Sequence, residues 1–289
     1  MTKEILLILA CVPLYVVNSF CDKTVSSKNQ NQYNIPYNSI KFLLCAISMI
    51  PILLWRRESM LSFGSLLCGI FCGMMYAVSK TMMLKGYEKT SIAFMTLCHS
   101  SGMILPCVLG HFFWAEKLSL ISIIGILLAI VSIVLLKGGT GERQSFDACG
   151  VLLGIVIFLT SAGVMISQKL MGLYYSDQSV GVYNFYSFIV AFLILVCFAK
   201  PCQWSAGKRA HKTTIVLCAL GSAISLSVIS FVMTNLAKAV PSVILFPLFN
   251  GLGIIFVCIG SIFAFGETLT KKKTAGLLIG IFGLCLVNL

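Results

Sequence analysis

Apolar runs of about twenty residues recur along this 289-residue chain from end to end. That length matches a bilayer hydrocarbon core about 30 Å thick. Ten such runs can be drawn, at roughly 4–21, 36–55, 61–84, 90–114, 119–137, 148–168, 179–199, 213–236, 240–265 and 274–289. The runs are apolar all round and too long for the alternating ten-residue strands of a membrane barrel, so they predict helices. Only 10% of residues are charged and 58% are hydrophobic, which leaves too little charge to clothe a water-soluble surface. The sequence therefore predicts an all-α membrane protein with ten transmembrane helices. The first run follows Lys3 and resembles a signal peptide, but its counterpart in the second half argues for a retained span.

The connecting stretches 22–35, 137–147 and 200–212 are ordinary loops, and none reads as a soluble domain. The net charge of +12 is scattered through short loops, which points to the lipid bilayer surface as partner and not to nucleic acid. Most of the 13 cysteines lie within spans and act as small apolar residues; Cys68 and Cys72 share a face without a His or carboxylate, so no metal is expected. No paired carboxylates, zinc-protease motif or phosphate loop is present, which argues against an enzyme.

The chain repeats itself at half its length. Glu116-Lys117-Leu118 recurs as Glu267-Thr268-Leu269, and downstream Gly125, Leu127, Ile130 and Leu135 meet Gly276, Leu278, Ile281 and Leu286, all 151 residues later. Ser79, Ser91, Gly102 and Phe112 meet Ser230, Ser242, Gly253 and Phe263 at the same shift. Nearer the N-terminus the shift is 146: Lys23 meets Lys169, Tyr37-Asn38 meets Tyr183-Asn184, and Phe42 meets Phe188. The two units are 1–140 and 147–289. Five spans per unit is an odd number, so the second unit enters the membrane from the opposite side. That predicts two inverted five-helix repeats, an arrangement found in many secondary transporters.

Phe265-Gly266-Glu267-Thr268-Leu269, followed by Gly276-Leu277-Leu278-Ile279-Gly280, resembles the end of the EamA-type repeat of the drug/metabolite transporter superfamily. The first half carries a weaker copy, with Ala115 in place of the glycine. The resemblance implies ten helices, no cofactor, and alternating-access transport of small organic solutes. It also implies a central cavity lined by spans 1–4 and 6–9, with spans 5 and 10 outside it. Gly125 and Ala129 in span 5 match Gly276 and Gly280 in span 10, a four-residue spacing of small residues that lets helix backbones approach closely. Gly69 and Gly73 form a similar pair in span 3. Glu116 and Glu267 read as structural turn caps for the following helix, with ion coupling as the competing role.

None of the nine acids falls in the middle of a predicted span, so neither a membrane-embedded coupling carboxylate nor a counter-charge for a cationic drug is expected. The ionisable group nearest a span centre is His99, with Thr96 one turn before it, and the 151-residue shift pairs His99 with Asn250. Both are expected to line a shared interior, because facing lipid would leave their polar groups unsatisfied; a structural His bonded to a backbone carbonyl is the plainer role. Tyr15, Asn18, Tyr76, Ser79, Ser161, Ser227 and Ser230 complete the expected substrate-binding set, a lining suited to a neutral or zwitterionic solute. Lys80 is expected to snorkel to the membrane interface, with an anion contact as the sharper alternative, and Lys41 to belong to its loop. Six bases fall on the N-terminal side and 15 on the other, which favours both termini outside, whereas the family resemblance suggests the reverse.

The leading functional expectation is a secondary transporter, an exporter or exchanger of amino-acid-like or other small metabolites, in the plasma membrane as a monomer or homodimer. A nucleotide-sugar or drug carrier of the same superfamily is the nearest alternative. A passive channel or a structural membrane protein is the alternative from another class.

Overall fold

A long apolar helix in a membrane must still satisfy its backbone and place its few polar side chains, and both demands shape this bundle. The computed structural model describes residues 2–29, 34–57, 60, 62–89, 92–116, 119–136, 148–199, 209–266 and 271–287. Among them are eleven helices and no strand: α1 Thr2–Asn29, α2 Asn34–Arg56, α3 Phe63–Lys89, α4 Ile92–Ser101, α5 Ile104–Phe113, α6 Leu120–Leu136, α7 Ala148–Tyr174, α8 Val180–Phe198, α9 Arg209–Leu236, α10 Ser242–Phe265 and α11 Lys271–Val287. Seven of these, α1, α2, α3, α7, α8, α9 and α10, contain a stretch long and apolar enough to cross a bilayer.

The other three expected spans differ. Span 4 is two ten-residue helices, α4 and α5, separated at Gly102-Met103. Pro106 has no N–H to return to the Gly102 carbonyl, and its ring crowds that carbonyl. Leu105 N donates to Gly102 O instead at 3.3 Å, while Gly102 N and Met103 N reach back only three residues, to His99 O at 3.2 Å and Ser100 O at 3.1 Å. Spans 5 and 10 contain α6 and α11, each described over 17 residues and each running up to residues outside the described part. Span 1 is longer than expected: α1 runs eight residues past the expected boundary at 21, because its polar end is enclosed by protein.

Every principal helix contact joins the first half of the chain to the second. α1 packs on α9 and α10, α2 on α8 and α9, α3 on α7 and α8, α4 on α7 and α10, and α6 on α11. One buried cluster, with Tyr15, Met95, Ile157 and Phe246, and another, with Phe42, Tyr76, Tyr183 and Phe188, are therefore both shared between halves. The outward faces are apolar, with Leu54, Trp55, Phe112 and Phe263 exposed, as suits a surface bathed in acyl chains.

Small residues set the closest approaches. A Cβ at Gly73 would sit 2.6 Å from the Ser187 carbonyl oxygen, and one at Gly69 would sit 2.7 Å from Tyr186 Cβ, so both glycines admit the α8 backbone. Between α6 and α11, Ser132 Oγ donates to Gly276 O at 2.6 Å, and a Cβ at Gly280 would meet Ser132 Oγ at 2.5 Å. Gly125 is buried in the same pair of helices, while the Ala129 side chain lies outside the described part of the structure.

Candidate functional site

The buried polar atoms gather between the halves in three groups. The first was not anticipated. Asn18 and Asp22 stand one turn apart on α1, and Tyr37 and Lys41 one turn apart on α2, so each helix turns a polar face to the other. Lys41 Nζ lies 2.9 Å from Asp22 Oδ1 and 2.8 Å from Asn18 Oδ1, and Tyr37 OH donates to Asp22 Oδ1 at 2.8 Å. Ser222 of α9 joins from the other half, donating to Asn18 Oδ1 at 2.6 Å and to Asp22 Oδ1 at 3.2 Å. The side chains of Lys41 and Asp22 are 0% and 3% exposed.

This overturns two expectations. A carboxylate does lie inside a membrane-spanning helix, and Lys41 is not a loop residue. Reading charges as span boundaries hid both. The signal that could have found them is the i,i+4 spacing of Asn18 with Asp22 and of Tyr37 with Lys41.

The second group surrounds the broken helix. Tyr15 of α1 has its ring 6.4 Å from His99 and 5.4 Å from Phe249, the neighbour of Asn250, and its hydroxyl 3.5 Å from Ser100 Oγ. Ser161 of α7 donates to His99 O at 2.8 Å, meeting a carbonyl whose helical partner the break removed. Asn250 Nδ2 donates to Phe246 O at 2.8 Å. The His99 ring is only partly buried although α4 is packed in the bundle. Thr96 Oγ1, His99 Nδ1, Asn250 Oδ1 and Ser79 Oγ have no hydrogen-bond partner among the described residues.

The third group lies among α2, α3, α8 and α9. Tyr76 OH donates to Ser230 Oγ at 3.3 Å, Ser230 Oγ donates to Asn184 Oδ1 at 2.5 Å, and Ser48 Oγ donates to Ser227 Oγ at 2.9 Å. The ten residues expected to bind substrate are thus spread over the three groups: Asn18 in the first; Tyr15, Thr96, His99, Ser161 and Asn250 about the second; Tyr76, Ser227 and Ser230 in the third. Ser79 of α3 makes no side-chain hydrogen bond to any of them among the described residues.

Lys80 corrects a further expectation. It is 4% exposed, and α3 continues nine residues beyond it to Lys89, so it does not snorkel to an interface.

The EamA-like transporter family model matches residues 2–137. The first half of this chain is thus similar to the EamA-like transporter family. The matched half is the one whose turn motif departs from the usual pattern, at Ala115. The whole chain resembles a solved crystal structure at a TM-score of 0.71 and 12% identity, over 99% of this chain and 96% of that one. No curated protein matches the chain significantly. The family and the apolar helices make this a multi-pass membrane transporter of the drug/metabolite superfamily.

The EamA turn itself has an unexpected partner. Ala115 takes φ +52°, and Gly266, its counterpart in the second half, takes φ +63°, so the position demands the left-handed region whichever residue fills it. The turn brings the Glu116 carboxylate to the N-terminus of α10 in the other half. Ser242 N donates to Glu116 Oε1 and Oε2 at 3.0 and 2.9 Å, Ser242 Oγ donates to Oε1 at 3.3 Å, and Lys169 Nζ lies 2.9 Å from Oε1. Among the described contacts, the helix that Glu116 serves is α10. Glu267 lies outside the described residues.

A cavity of about 450 Å³ opens where α2 ends and α8 begins, lined among others by Arg56, Asp177, Gln178, Asn235 and Lys238. None of the ten expected substrate residues lines it.

Proposed function

We propose that this EamA-like protein is a secondary transporter that exports or exchanges small organic metabolites, amino-acid-like or other neutral and zwitterionic solutes, by alternating access across the plasma membrane. The proposal takes the chain as ten spans in two inverted five-helix units, 1–140 and 147–289, with Tyr15, Asn18, Tyr76, Ser79, Thr96, His99, Ser161, Ser227, Ser230 and Asn250 about the solute.

The observation that carries this reading is the polar seam between the halves. Ser48 meets Ser227, Tyr76 meets Ser230, Asn18 meets Ser222, and His99 O meets Ser161, all inside an apolar bundle. A static scaffold gains little from such contacts over close apolar packing, whereas halves that shift against each other can exchange them one for another. The contacts also support the inverted pairing. A Cβ at Gly102 would strike Ser161 Oγ, and one at Gly253 would meet the Tyr15 ring at 2.8 Å. Gly253 is the counterpart of Gly102, and Ser161 that of Tyr15, so the same contact occurs twice with the halves exchanged. The broken span beside His99 adds to the case, because discontinuous helices expose backbone groups that solutes and ions can use.

Counterflow in proteoliposomes, run across amino acids, quaternary amines and sugar nucleotides, tests this. Saturable counterflow of amino acids is expected. Linear, non-saturating flux would refute a carrier.

A further inference from the structure

We propose, resting on the transporter reading above, that Lys80 receives a carboxylate group of the solute. Each of the other buried ion-forming lysines already has its partner. Lys41 is held by Asp22 and Asn18, and Lys169 by Glu116 and the Val240 carbonyl at 3.0 Å. Lys80 is 4% exposed and has no hydrogen-bond or ion-pair partner among the described residues. An ammonium enclosed in a membrane-spanning bundle without a counter-ion is strongly disfavoured and marks a functional position.

The two buried ion pairs seen among the described residues leave no acid over for it. Asp22 is taken up by Lys41, Tyr37 and Ser222, and Glu116 by Lys169 and Ser242. Lys41 and Asp22 cancel each other, so Lys80 leaves a single positive charge, which a monocarboxylate cancels and a phosphate dianion overshoots. Polar atoms without partners stand ready for the rest of the solute. Ser79 Oγ, next to Lys80 in the chain, and His99 Nδ1 have no hydrogen-bond partner among the described residues. The uncompensated charge of Lys80 repels cations, which disfavours quaternary amines as cargo.

Thermal unfolding of the purified full-length protein in detergent tests the site without requiring transport. The probes are L-alanine and sodium lactate, against L-alaninamide, choline chloride and inorganic phosphate at matched ionic strength. Alanine and lactate should raise Tm saturably, and the amide and choline should not. Lys80→Met should weaken carboxylate binding at least tenfold, with Lys80→Gln as a second neutral variant if the first fails to fold, and Lys80→Arg should retain it in part. Equal carboxylate shifts in the neutral variants, no shift from either carboxylate, or a larger shift from phosphate would overturn the assignment. The same probes in counterflow separate the two readings. Carboxylate binding without saturable counterflow supports the Lys80 site and counts against transport; alaninamide exchanging as fast as alanine does the reverse.

Discussion

Replacing Glu116 by alanine should damage a helix that lies 126 residues away in the chain. The carboxylate accepts both contacts of the Ser242 N–H and one from its hydroxyl, and it faces Lys169 at 2.9 Å. The Lys169 side chain is 3% exposed and that of Glu116 11%, so solvent screens the pair little. Truncating one member of such a pair strands the other charge, at a cost of ~3–5 kcal/mol. Losing the cap contributes about 1 kcal/mol within that range. Lys169 keeps one bond, to Val240 O, which places the expected value toward the lower end. Replacing both residues, Glu116→Ala with Lys169→Met, should recover at least about 1 kcal/mol, because the coupling of contacting residues falls in the range 0.5–3 kcal/mol. Reversible unfolding in mixed detergent micelles, followed for the wild type, both single variants and the double variant, gives the cycle directly. A single-variant loss below about 1 kcal/mol, or strict additivity in the double variant, would show that the pair does not secure the start of α10.

Three other outcomes follow from the same geometry. His99→Ala should reduce counterflow more than Glu116→Gln when rates are normalised to folded protein; an equal or reversed order would count against His99 at the solute. Ala115→Gly should raise stability by about 1 kcal/mol by removing left-handed strain, and Gly266→Ala should lower it by a similar amount, since its Cβ would meet nothing and only the backbone term remains; micelle unfolding of the two variants reads both signs. Gly73→Val should cost ~1–3 kcal/mol or more, because its Cβ would press on the α8 backbone at Ser187, and loss of monodispersity in size-exclusion chromatography would report it.

The class of fold could be read from hydropathy, and the family from the turn at Gly266, because both depend on patterns local to one segment. What escaped depends on partners far away in sequence. Asp22 and Lys41 look like loop residues until α1 and α2 lie side by side with Ser222 against them. Averaging over span 4 dilutes Pro106 among strong apolar residues, so the run reads as one helix although the missing N–H breaks it in two. The destination of Glu116 was hidden for a related reason. A carboxylate in a turn can cap the next helix or any helix brought beside it, and only the packing of α10 decides between them. The pairing of His99 with Asn250 in sequence located two polar groups, yet the link between their helices is Tyr15, which neither residue points to.

The Glu116–Ser242 contact also bears on how the protein is made. Synthesis runs from the N-terminus, so the carboxylate is in the membrane long before the amide it will accept from, and Ser48 and Tyr76 likewise precede Ser227 and Ser230. The first half of the chain therefore enters the bilayer as an incomplete object, with its polar faces waiting for the last third of the chain. A chain severed between the two units would yield two complementary pieces and not two smaller proteins.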